Sequence, residues 1–138
     1  MAISAKIKYL RISPRKVRMV ADLIRNKTVG EAEAILKFTT KKASKPLLKL
    51  LESSIANAKN NFKKDISSLY ISSIMVDGGP ILKRTMPRSR GTAFAIQKKT
   101  SHITIVLGEI GLKKEEKVAK VKVSKAVNRK KSAVPVKN

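Results

Sequence analysis

Apolar residues along this chain follow two rhythms, strand-like alternation in some stretches and helical spacing in others. SAKIKYLRI, residues 4–12, alternates. Ala5, Ile7 and Tyr9 fall on one side and Lys6 and Lys8 on the other, as in a half-buried strand. RISPRKVRMVADLIRNK, residues 11–27, changes to helical spacing, with Val17, Val20, Ala21 and Ile24 on one face. Ser13 suits the N-cap, and Pro14 suits the first helical position, where a missing N–H has no partner to lose. TVGEAEAILKF predicts a second, short helix. Thr28 and Glu31 have capping-box spacing, and Ala32, Ile35 and Leu36 form its inner stripe. KKASKPLLKLLESSIANAKNNF predicts the third and longest, with a core stripe of Leu47, Leu51, Ile55, Ala58 and Phe62. Pro46 leaves its start open: a cap at Ser44 puts the proline harmlessly in the first turn, whereas a start near Thr40 would kink the helix.

Two more strands follow. SSLYISSIMVDGG is one, expected to stop at Gly78 and Gly79, and SHITIVLGEI is the other, with Ile103, Ile105 and Leu107 alternating. A structureless loop filling the gap between them would be unusually long for a compact domain. PILKRTMPR and TAFAIQKKTSHITIVL instead suggest two extended arms around a turn at Ser89, Arg90 and Gly91, with Gly91 free to take positive φ. About ten residues per arm at ~3.3 Å each give a reach of roughly 30 Å. The expected fold is α+β: three helices packed on a small antiparallel sheet, a long protruding β-hairpin over residues 78–104, and a basic C-terminal tail. Residues 1–108 are expected to form the domain and 109–138 a basic, disordered extension.

Charge changes this picture from a small fold to a small fold that needs a partner. The chain has 32 Lys and Arg against 9 Asp and Glu, a net charge of +23. Self-repulsion at that level opposes folding, and a dense polyanion would relieve it. Residues 28–77, which hold the core stripes, are nearly balanced, with eight basic and five acidic residues. Residues 78–108 carry six basic residues and no acid, and 109–138 carry ten basic against three acidic. The arm is therefore either a disordered basic loop or a ribbon ordered by a polyanion around it, because an isolated two-stranded ribbon has no face to bury. Arg15, Lys16 and Arg18 crowd the first turns of the first helix, where the helix dipole prefers acids. An external anion resolves that conflict, and a solvated basic face is the other reading.

Catalytic chemistry finds little support. There is no Cys, and His102 is the single histidine, so thiolate sites and two-histidine metal sites are excluded. Ser101 and His102 are neighbours on a strand and point to opposite faces, which suits a structural histidine better than a catalytic pair. Gly78 and Gly79 precede no Gly-Lys-Ser/Thr and form no phosphate loop. RGTAFAIQ partly matches an RNA-recognition octapeptide, but Thr92 and Gln97 stand where stacking aromatics belong. No metal, cofactor or catalytic residue is expected. MAISAKIKYL lacks the apolar run of a signal peptide and no stretch approaches a membrane span, so the expectation is an intracellular protein with no membrane partner.

Two segments are specific beyond composition. RISPRKVRMVADLIRNKTVGEA and MPRSRGTAFAIQKKTSHITIVL, together with SSIANAKNN between them, resemble in order and spacing the bacterial large-subunit ribosomal protein twenty-two family. The resemblance covers about residues 3–108. It implies a cytoplasmic, non-enzymatic constituent of the large subunit that binds large-subunit rRNA and supports early assembly. It also implies a hairpin whose tip lines the nascent-peptide exit tunnel, with the nascent polypeptide and large-subunit protein four as neighbours. The candidate rRNA contacts on the body are Lys6, Lys8, Arg11, Arg15, Lys16 and Arg18. Those on the arm are Lys83, Arg84, Arg88, Arg90, Lys98 and Lys99. The tip comprises Met86, Pro87, Arg88, Ser89, Arg90, Gly91 and Thr92. Asn26 stands where the family usually has glycine, and Asn tolerates the left-handed conformation of a helix end. Thr92 stands where a basic residue is common, and Phe94 where a polar one is. The main rival is an architectural DNA-binding protein with a basic β-ribbon, for which Pro87 would serve as a wedge. A cationic membrane-active protein would need a stronger aromatic or leucine face than five aromatic residues supply.

Overall fold

A computed structural model describes residues 3–110. Strand β1 (Ile3–Leu10) leads into helices α1 (Pro14–Ile24), α2 (Val29–Phe38) and α3 (Ser44–Phe62), and then into strands β2 (Leu69–Pro87) and β3 (Ala93–Glu109). The sheet has the order β1-β3-β2, and β1 runs antiparallel to β3. The protein is thus α+β, with three helices packed on a three-stranded sheet.

Period-two residues of the strands meet period-3.6 residues of the helices. Ile103, Ile105 and Leu107 of central β3 lie between Ile3 and Ala5 on one side and Leu69 and Ile71 on the other, all buried. Against them pack Val17, Val20, Ala21 and Ile24 of α1, Ala32 and Leu36 of α2, and Leu47, Leu51 and Ala58 of α3. The α3 stripe also takes in Leu50 and Ser54, while Ile55 and Phe62 are half-buried, so the buried face is wider than the simple repeat implied.

Local signals at the helix ends act as their chemistry dictates, with one exception. Thr28 Oγ1 accepts from the Glu31 N–H at 3.4 Å. Ala43 rather than Ser44 is the N-cap of α3, and Pro46 is the third helical residue, still in the turn whose N–H groups have no helical acceptor. Asn26 has φ 60°, the left-handed conformation expected after α1. The exception is Ser13, which holds the N-cap position of α1 while its side chain makes no capping hydrogen bond.

Two strand expectations need correction. Tyr9 does not share the buried side of Ala5 and Ile7; it is 63% exposed. Register explains this: Ile7 pairs with Ile103 but Leu10 with Ser101, so Lys8 and Tyr9 together face His102 alone. That β-bulge, with Tyr9 at φ 57°, resets the alternation and turns the ring outward. The second correction concerns Gly78 and Gly79, which do not end β2; the strand runs on to Pro87. At Gly79 the partner strand comes so close that an added Cβ would lie 2.5 Å from Thr100 Oγ1 and 3.1 Å from His102 Nε2. Thr100 Oγ1 in turn donates to Pro80 O at 2.7 Å. The glycines mark where the sheet leaves the body, because every residue from Pro80 through Lys99 is exposed. The arm is therefore the outer half of β2 and β3 themselves. The expected basic extension, 109–138, falls almost wholly outside the described residues.

These contacts separate two adjacent glycines. Gly79→Ala must displace Thr100 and its bond to Pro80, and should lower unfolding free energy by about 1–2 kcal/mol. Gly78→Ala meets nothing within 4 Å and should be close to neutral. Urea denaturation of both variants checks the contrast, and equal effects would show that the close approach at Gly79 is not limiting.

Candidate nucleic-acid interface

A cleft of about 1030 Å³ opens between the start of α1, the turn before α3 and the root of the ribbon. Folding brings Arg11, Lys16, Arg84, Lys98 and Lys99, which are scattered in sequence, to its walls. It adds Lys41 and Lys42, which sequence reasoning passed over because they lie in the charge-balanced block. The one signal that could have found them is their adjacency just before the third helix. Among the described residues, no Asp or Glu lines the cleft. The surface ion pairs Arg25–Asp22 (3.0 Å) and Lys37–Glu33 (2.7 Å) involve none of its cations. Glu33, one turn before Lys37, raises that ammonium's pKa by its hydrogen bond and charge, a local effect on α2.

The other candidates lie elsewhere. Lys6 and Lys8 are exposed on β1, and Arg15 is exposed on α1. Lys83, Arg88 and Arg90 are exposed along the ribbon. Arg18 is committed within the body: its Nε and Nη2 donate to Val76 O at 3.2 and 2.9 Å. The guanidinium fork ties α1 to the last buried residue of β2, just before the ribbon departs.

At the tip, the Arg88 N–H donates to Thr92 O at 2.8 Å, and Thr92 Oγ1 donates to Ser89 O at 2.8 Å. Thr92 thus closes the turn with its hydroxyl, a role that a basic side chain in its place would not fill. Gly91 has φ 68°, as its sequence position suggested, but Arg90 is also left-handed at φ 59°. For a non-glycine residue that conformation costs about 1–2 kcal/mol.

His102 is a structural residue. Its Nδ1 accepts from the Tyr9 N–H at 3.0 Å, so its neutral ring carries the proton on Nε2. The Tyr9 ring meets the imidazole edge to face at 4.8 Å. Ser101 Oγ donates to Ile12 O at 3.0 Å. The two neighbours therefore fasten Tyr9, near the end of β1, and Ile12, just after it. Among the described residues, no group of three or more His, Asp or Glu could hold a metal, and no helix is long and apolar enough to cross a membrane.

A small α+β body that extends two of its strands into an acid-free basic ribbon is the build of a structural ribonucleoprotein component, with its chemistry in its shape and charge. Residues 5–108 match the family model of ribosomal protein L22p/L17e, and the chain belongs to that family, whose members are structural and non-enzymatic. It is 52% identical over 109 residues to the large ribosomal subunit protein uL22 of Clostridium novyi, covering 79% of this chain and 98% of that one. The protein of the same name from Caldicellulosiruptor saccharolyticus is 56% identical over 106 residues, with 77% and 87% covered. That from Metamycoplasma hominis is 57% identical over 106 residues, with 77% and 82% covered.

The position of Arg18 gives a test of its structural role. Arg18→Ala should destabilise the body by about 1–2 kcal/mol, since it removes a charged donor from a partly buried carbonyl. Arg18→Lys should recover only part, because one ammonium cannot reproduce the fork. Thermal denaturation measures both, and a neutral Arg18→Ala would mean that water replaces the contact.

Proposed function

We propose that this protein is a structural constituent of the large ribosomal subunit that binds large-subunit rRNA with its body and lines the nascent-peptide exit tunnel with its ribbon tip. The observation that carries this reading is the continuous passage of β2 and β3 from a buried sheet into a ribbon that is exposed from Pro80 to Lys99 and has no acid. Nothing in the described protein covers that ribbon, and its cations need a polyanion to screen them. Arg11, Arg15, Lys16 and the cleft lysines supply the body's contacts, with Lys6 and Lys8 on a second face. Lys83, Arg84, Arg88, Arg90, Lys98 and Lys99 track phosphates along the ribbon, Arg by its planar fork and Lys as a point charge.

Met86, Pro87, Arg88, Ser89, Arg90, Gly91 and Thr92 form the part that reaches the tunnel wall and meets the nascent polypeptide. Large-subunit protein four is its neighbour there. Docking of the body supports early subunit assembly, in the bacterial cytoplasm where large subunits are made. The names of the relatives support the ribosomal setting, and the division of labour between body and tip rests on the exposure pattern.

The body and the tip are tested separately. Arg15→Glu/Lys16→Glu should weaken binding to a large-subunit rRNA transcript and flatten its salt dependence by about 0.7–0.9 per lost phosphate contact in log–log slope. An unchanged slope would show a merely solvated face. Deleting Thr85 and Met86 shortens one arm by roughly 7 Å of strand and skews the tip while leaving the cleft residues in place. Large subunits should retain full occupancy of the variant but respond differently to tunnel-binding macrolides. Lost occupancy would instead make the arm a principal assembly anchor.

A further inference from the structure

The cleft has a floor that phosphate binding does not explain. Met19 and Leu23, one turn apart on α1, are 61% and 49% exposed, and both line it beside Leu82 of the ribbon. Their neighbours on α1, Val17, Val20 and Ala21, are buried in the core, so Met19 and Leu23 face away from it. A duplex backbone lying across the cleft would satisfy the basic rim and leave this floor wet. A single-stranded nucleotide satisfies both, since its phosphates meet the rim and its base covers the floor. The lining also contains Gln97, whose side-chain amide makes no hydrogen bond among the described residues and carries both a donor and an acceptor for a base edge. At about 1030 Å³ the cleft is at the upper end of pockets that enclose whole small ligands, so a base with its ribose and flanking phosphates fits.

We infer that this cleft takes an unstacked base of the RNA, seated on Met19, Leu23 and Leu82, with its flanking phosphates held by Lys16, Lys41 and Lys42. The inference rests on the reading of the chain as an rRNA-binding protein and adds a recognition element to it. RNA is read mainly at loops and bulges whose bases are already splayed out, and such a base brings an apolar face together with negative charge. The sulfur of Met19 suits an aromatic ring. The chain's own C-terminal segment is the wrong occupant by sign, with ten basic residues against three acidic ones.

The test uses the full chain and a complete large-subunit rRNA transcript, probed by hydroxyl radicals for backbone and by dimethyl sulfate for bases. The wild type should protect at least one unpaired base within a protected stretch of backbone. Met19→Ser/Leu23→Ser keeps every charge and replaces only exposed side chains. It should restore reactivity of that base to the free-RNA level, keep the surrounding backbone protection, and weaken affinity about tenfold, as loss of apolar cover over the base does. Lys41→Glu/Lys42→Glu should remove the backbone protection as well. If the lysine variant loses backbone protection while the floor variant changes no base, the cleft grips phosphates alone; the inference falls and rRNA binding stands. If neither variant alters the wild-type footprint, RNA does not enter the cleft and the inference also falls. A wild-type chain that leaves no footprint overturns the rRNA-binding reading itself.

Discussion

Pairing of β2 with β3 is the constraint on which the rest of the molecule depends. The same two strands serve as core and as projection. Ile103, Ile105 and Leu107 are locked by the helices on their inner face, and that locked register is carried outward past Gly79 and Thr100 to the turn at Ser89–Gly91. A free ribbon of this length would be marginal, since neither face is buried. Here it starts from a strand pair already held by a core, so the body sets the direction in which it leaves. Several polar contacts gather at that root: the Arg18 fork on Val76 O, the Thr100 bond to Pro80 O, and the His102 acceptor for the Tyr9 N–H. Each holds backbone where the hydrophobic core ends and can no longer do so.

Charge is arranged around the same root. Asp22 and Glu33, which form ion pairs, sit on the helices and neutralise neighbours within a turn or so. Such exposed pairs add little to stability, because water and salt screen them. Among the described residues, neither pair includes a cation of the cleft or the ribbon, so like charges concentrate there. A protein left with this imbalance is suited to a surface that supplies negative charge densely and over a long reach. That is the physical link between the build of the family and its place in a ribonucleoprotein particle.

The three helices and their core stripes were legible because helical periodicity, Pro14, Thr28 and Asn26 are local signals with local causes. The turn at Gly91 was legible for the same reason. The exposure of Tyr9 is not legible from alternation, which assumes an unbroken register, because the bulge opposite His102 shifts it by one residue. Gly78 and Gly79 read as a stop because glycine weakens strands in general. What overrides that tendency is the neighbour strand, whose Thr100 needs the space where a Cβ would be.

By itself, the sequence determined the α+β class, the start of α1, the bounds of α2 and the presence of a basic ribbon with a single turn. These follow from periodicity, caps and local composition, which act over a few residues and need no knowledge of distant partners; the family was legible through the resemblance of two specific segments. Only the tertiary structure decided which cations share a surface. Lys16, Lys41 and Lys99 are separated by whole elements and meet because α1, the turn before α3 and the root of the ribbon converge. It also decided that Arg18, chemically the equal of its neighbours, serves the fold by holding Val76. Charge pattern along a chain counts cations; the distance to a carbonyl or to another cation depends on packing between residues far apart in sequence, and that packing determines what each cation does.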